Sequence, residues 1–248
     1  MKFLFTILPL VLAVLTAAKA ESTNLLSDAE IKGRSLAAQL LQQQPATNLD
    51  QPAILKIRDG NGVSTNIPVS FKTLVSDTTW KAAYIAGRDC WIIIHQNGRD
   101  NRYVFTELNP AQDVWTPAAF QPLSGGQIMT PFAGSDFWLC DLGLEFFHWP
   151  DQKILPNPTS LTRGRSYSLL ESTNPDPGTN GYSRVRSWID KETGGILKAE
   201  AYDARGKLLK EFSPKSFKKV NGQWQLQEME IDNVQTGSRT RLEFDLPK

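Results

Sequence analysis

The residues that could carry chemistry are few. Two histidines occur, His95 and His148, and no C-x-x-C, H-x-x-x-H or H-E-x-x-H pattern accompanies either, so no metal site is expected. There is no G-x-S-x-G elbow, P-loop or G-x-G-x-x-G, and Ser124-Gly125-Gly126 stands among prolines instead of at a strand-to-helix turn. A Ser-His-Asp triad would need His95 or His148 to meet distant partners, and a lone histidine in an alternating strand is more often structural. The pattern predicts no catalytic residue and no cofactor. Cys90 and Cys140 are the two cysteines. In an oxidising compartment they permit a bridge, which in the chain-entropy model contributes about 4 kcal/mol for a loop of that length. The alternative is two buried thiols that pack as small hydrophobes.

Apolar ring surface is what the chain has in quantity. Trp91, Tyr103, Phe105, Phe132, Phe137, Trp138, Phe146, Phe147 and Trp149 fall between residues 91 and 149. Such rings either fill a core or line a cavity for an apolar ligand, and the pattern alone leaves both open.

The elements that must position these rings are mostly strands. Ser27-Asp28-Ala29-Glu30 has the form of a capping box, from which a helix is expected to run to about Gln44 with Gly33, Leu36, Ala37, Leu40 and Leu41 on one face. From Ile54 to Leu108, and again from Ser166 to Leu246, short alternating runs are separated by turn signals such as Asp59-Gly60-Asn61-Gly62, Asn97-Gly98, Asp203-Ala204-Arg205-Gly206 and Val220-Asn221-Gly222. They predict about ten or eleven strands in antiparallel meanders. Residues 109 to 160 interrupt this rhythm with seven prolines and two aromatic patches, which reads as a lid or packed loop; Ser135-Asp136 is placed to cap a short helix carrying Phe137, Trp138 and Leu139.

The first twenty residues join Lys2, an apolar run and an Ala18-Lys19-Ala20 ending, the form of a secretory signal peptide. Residues 1–20 are therefore expected to be removed, leaving one domain over residues 21–248. No cysteine stands directly after the cleavage point, so no lipid anchor is expected and the product should be soluble in the periplasm. Basic and acidic residues number 27 and 26, and the only basic cluster, Lys215, Lys218 and Lys219, is sparse. A nucleic-acid partner is not expected.

Residues 130–247 resemble the outer-membrane lipoprotein-sorting family, the periplasmic carriers LolA and LolB and their relatives. The resemblance is carried by Gly134-Ser135-Asp136-Phe137 followed by Asp141-Leu142, by the strand from Gly164 to Glu171, by RVRSWIDKETGGILKAEAYDARGKLLKEF and by FKKVNGQWQLQEMEIDNVQTGSRTRLEF. It implies a mainly β (α+β) fold, a strongly curved, incomplete antiparallel barrel closed by helices. It also implies a non-enzymatic carrier, expected as a monomer, that takes up the acyl chain of a lipoprotein or lipid and meets membrane-associated donor and acceptor proteins. The expected lipid-binding residues are Leu36, Leu40, Leu41, Trp91, Phe105, Phe137, Trp138, Phe146 and Phe147. Two other readings stand beside it: an envelope binding module with a different apolar partner, and a hydrolase acting on lipid.

Overall fold

The computed structural model describes residues 26–96, 98–109, 113–116, 119–156, 161–162, 164–220 and 222–247. The expected leader, and Asn97 and Asn221 of two expected turns, lie outside these.

The capping box forms as its residue types require. Ser27 Oγ accepts from the Glu30 amide, Glu30 accepts from the Ser27 amide at 2.7 Å, and the helix α1 runs over Asp28–Leu41, three residues short of the expected end. Its inner face is Gly33, Ala37 and Leu40, while Leu36 and Leu41 are half-buried against the same core.

Five strands follow: β1 (Leu49–Arg58), β2 (Ser64–Val75), β3 (Thr79–Ala86), β4 (Asp89–Gln96) and β5 (Arg102–Glu107). A short β6 (Gln121–Leu123) precedes an insert of 3-10 turns and one brief helix, α2 (Leu139–Leu142). Then come β7 (Asp151–Leu155), β8 (Leu161–Thr162), β9 (Arg165–Thr173), β10 (Tyr182–Asp190), β11 (Ile196–Asp203), β12 (Leu208–Val220), β13 (Gln223–Asn233) and β14 (Ser238–Phe244). The eleven expected strands are present, and β6, β7 and β8 are additions from the proline-rich stretches.

Local chemistry fixes the hairpins. At the β11–β12 turn, Asp203 Oδ1 accepts from the amides of Arg205 and Lys207, both at 2.9 Å, and Gly206 supplies the left-handed residue at φ 75°. All named pairings are antiparallel, in the order β6-β5-β4-β3-β2-β1-β14-β13-β12-β11-β10-β9-β7, with β8 beside β9. The two meanders join where β1 meets β14, from Ala53 opposite Phe244 to Arg58 opposite Arg239. The sheet does not close: β6 and β7 are its edges. β6 is three residues long and contains Pro122; β7 lies between Pro150 and Pro156 with α1 seated on it, Gly33 directly against the Gln152–Lys153 backbone.

Most of the core lies on one face of the sheet, where α1 and the insert pack. A smaller cluster, Ala83, Cys90, Ile92, Val104 and Val114, lies apart from it. Alternation along β4 explains the division, because Trp91 and Ile93 belong to the large cluster and Cys90 and Ile92 to the small one. Cys140 is in the large cluster. The bridge entertained from sequence is therefore not made. Both cysteines are free and buried, and the sheet separates their side chains.

Candidate functional site: an apolar cavity on the sheet

Between the sheet, the C-terminal end of α1 and the insert lies a cavity of about 700 Å³. Eight strands consecutive in the sheet contribute to its wall, from Tyr84 on β3 through Phe71 on β2, Phe244 on β14, Met229 on β13 and Phe212 on β12 to Val185 on β10. Laid flat, those strands would span roughly 34 Å at about 4.8 Å per spacing. One cavity can touch all of them only because the sheet bends around it. Ala199 and Ala201 on β11 are small wall residues that leave the space open. A void of this size is far larger than the water-sized gaps of a packed core.

The insert covers part of this face and is pinned to the sheet by buried polar contacts. Asp136 accepts from Ser238 Oγ at 2.6 Å and from Thr240 Oγ1 at 2.8 Å, and its own amide donates to Thr240 Oγ1 at 2.9 Å. Asp136 is thus tied to β14 and does not cap a helix, contrary to the sequence expectation. The first turn of α2 is held by Asp141, whose Oδ2 accepts from the Trp138 amide at 2.8 Å and from the Tyr182 hydroxyl at 3.1 Å. Lys210 of β12, only 1 % exposed, donates to the Asp136 carbonyl at 2.7 Å, lies 3.6 Å from Asp141 Oδ2 and sits over the Trp138 ring. Burial raises the Asp141 pKa and lowers that of Lys210, each against the charge of the pair. Both side chains reach the cavity wall, which is otherwise mainly apolar.

A second polar cluster anchors the turn Glu145–His148. Glu145 Oε2 accepts from the Tyr103 hydroxyl at 2.9 Å and from Asn101 Nδ2 at 3.2 Å, and Asn101 also donates to the Gly143 carbonyl at 2.8 Å. Burial pushes the Glu145 pKa up to about 7, against the pull of the Tyr103 and Asn101 hydrogen bonds and with a contribution from Asp100. Leu144, which starts this turn, adopts a left-handed φ of 50° and lines the cavity, as do Phe146 and Phe147.

The residues expected from sequence divide. Leu40, Phe137, Phe146 and Phe147 line the cavity. Leu36, Leu41, Trp91, Phe105 and Trp138 do not. Trp91 packs edge-on against Phe132 and beside Phe105, and Trp138 stacks on Tyr182 at 4.6 Å between ring centres. The strand residues Phe71, Tyr84, Phe212, Met229 and Phe244 were missed as a wall. Their signal was the apolar half of each alternating strand, which marks the inner face without saying whether it meets side chains or space. Neither histidine is in the wall. His95 stacks on Trp80, and burial lowers its pKa to about 4 and lowers that of His148. Among the described residues no group of three or more His, Cys, Asp or Glu could hold a metal ion, and no helix is long and apolar enough to cross a membrane.

Solved structures share this fold. A DUF1329 family protein from Desulfovibrio piger matches with a TM-score of 0.69 at 19% identity, over 88% of this chain and 92% of that one. An outer membrane lipoprotein-sorting protein domain from Vibrio parahaemolyticus matches with a TM-score of 0.69 at 20% identity, over 88% and 92%. A LolA superfamily protein from Nitrosomonas europaea matches with a TM-score of 0.52 at 16% identity, over 89% and 96%. No curated protein matches the sequence. A family model described as "Uncharacterized protein" matches residues 94–248, more than half of the chain. The chain therefore belongs to that family, and its fold is the one shared by DUF1329 and LolA-superfamily lipoprotein-sorting proteins.

Proposed function

We propose that this protein is a non-catalytic periplasmic carrier whose half-barrel, covered by α1 and the insert, takes the acyl chain of a lipoprotein or lipid into the cavity for transfer toward the outer membrane. The observation that carries this reading is the open, largely apolar cavity of about 700 Å³. That volume lies in the range of about 300–1,000 Å³ usual for ligand sites. Each methylene moved from water into such a site contributes about 0.8 kcal/mol, so a long chain is held even after its ordering is charged against it. The leader over residues 1–20 delivers the carrier as a soluble monomer beginning at Glu21, between membrane-associated donor and acceptor proteins. The lipoprotein-sorting domain among its structural relatives supports the choice of cargo.

The test fills the cavity. Ala201→Phe places a ring in the void from a wall position on β11. Fluorescent fatty-acid binding should fall at least tenfold while thermal stability holds or rises. A wild type that binds no fatty acid and releases no extractable lipid, or an Ala201→Phe protein that binds as well as wild type, overturns the reading.

A further inference from the structure

The β12–β13 hairpin extends past both of its neighbours. β11 accompanies β12 only as far as Phe212, and β14 accompanies β13 only from Glu228 onward, so the end of the hairpin is a two-stranded ribbon. Two register shifts lie at its base. Pro214 is opposite Met229, Ser216 opposite Glu228 and Phe217 opposite Leu226, which leaves Lys215 and Gln227 as extra residues. Each extra residue moves the side-chain alternation by one position. Phe217, Trp224 and Leu226 therefore come to the cavity side, where they line the mouth.

These are costly residues to leave in water. Trp224 is 70% exposed and Phe217 54%. The ribbon's own charge has one sign, for between Lys215 and Gln227 there are three lysines and no acidic residue. Lys215 is engaged by Glu230 and Lys218 by the Leu246 carbonyl, while Lys219 is exposed directly opposite Trp224. Gln43, Pro45, Ala46 and Thr47, on another part of the cavity wall, are uncharged. A tryptophan beside a lysine on a projecting ribbon matches the interface of a bilayer, where the ring sits at headgroup level and the cation meets phosphate.

We propose that the ribbon docks the cavity mouth on an anionic lipid surface, with Trp224 and Phe217 entering the interface and Lys219 meeting the headgroups. The inference rests on the carrier reading for its purpose, since it lets an acyl chain pass between bilayer and cavity without crossing water. Co-sedimentation with vesicles of equimolar phosphatidylglycerol and phosphatidylcholine tests it. Wild type should bind these and not pure phosphatidylcholine, and binding should weaken as salt screens the lysine. Trp224→Ala and Phe217→Ala should each weaken binding about tenfold. Lys219→Glu should weaken it roughly thirtyfold, since each unit of charge near the surface is worth about fivefold. Lys32→Glu, the same change of net charge on the exposed side of α1, should have little effect. Absence of vesicle binding, equal binding to neutral vesicles, or full binding by Trp224→Ala overturns the proposal. So does an exposed-ribbon dimer, or an acidic protein partner, that Trp224→Ala abolishes while vesicles are ignored. Fatty-acid uptake without vesicles reads the cavity separately: uptake retained with docking absent removes this inference alone, and docking retained with uptake absent removes the carrier reading alone.

Discussion

Glu145→Gln should stabilise the protein in a strongly pH-dependent way. In the folded protein burial places the Glu145 pKa at about 7, well above the ordinary glutamate value of 4.5. The unfolded chain therefore releases this proton at lower pH than the folded chain does. Stability from this group is lost as pH rises from the unfolded value, and the loss is complete above about pH 7. Tyr103, Asn101 and Asp100 act on Glu145, while the two histidines act on stability in the opposite sense: their lowered pKa values favour folding as pH rises toward the unfolded histidine value. Comparing variant with wild type at each pH removes their shared contribution. The amide that Glu145→Gln introduces retains an oxygen that can accept from Tyr103 and cannot ionise. Its advantage over glutamate should grow by on the order of 2 kcal/mol between pH 5 and pH 8. Urea unfolding of both proteins at the two pH values measures this. A difference that stays constant with pH would show that Glu145 ionises in the fold as it does in water, and would refute the assignment of burial as the dominant cause.

Other outcomes follow from single contacts. Gly33→Ala would place a methyl 2.5 Å from the Lys153 amide nitrogen and 2.6 Å from the Gln152 carbonyl, so α1 must lift from β7. A loss of about 1–3 kcal/mol in chemical unfolding is expected. Lys210→Met strands the Asp141 carboxylate and should cost on the order of 3–5 kcal/mol, with the loss shrinking as pH is lowered because burial raises the Asp141 pKa and a protonated Asp141 needs no cation. Non-reduced protein should show two alkylatable thiols once denatured and none while folded, since burial pushes Cys90 up to about 12 and Cys140 well above its usual value. A protected pair in the denatured protein would restore the bridge.

What could be read from sequence was what local chemistry decides. The capping box of α1 involves residues three apart, and the hairpins follow from alternation and from turn residues such as Asp203 and Gly206. β7 was not legible because its one fully buried residue is Gln152. That side chain donates to the Phe146 and Trp149 carbonyls at 2.9 and 2.8 Å and accepts from Ser172 Oγ of β9 at 2.7 Å, and the first two contacts exist once the insert has folded. The site was half legible for a related reason. Phe137, Phe146 and Phe147 could be read as inward rings of an apolar insert, but whether a strand ring such as Trp91 meets another ring or open space depends on how far the sheet bends. Lys210 reads as an outward charge in an alternating strand, and the extra residues at Lys215 and Gln227, which turn Phe217 and Trp224 toward the mouth, leave no mark in the hydrophobic pattern.

An open, curved sheet is a hazard, because two unpaired margins could recruit strands from neighbouring copies and grow into fibres. Here both margins are spoiled for that purpose. On one side Pro122 removes an amide from a strand of three residues; on the other, five residues between two prolines lie beneath α1, whose glycine lets the helix sit on the backbone itself. The curl can thus stay unclosed without the molecule becoming a seed for polymerisation.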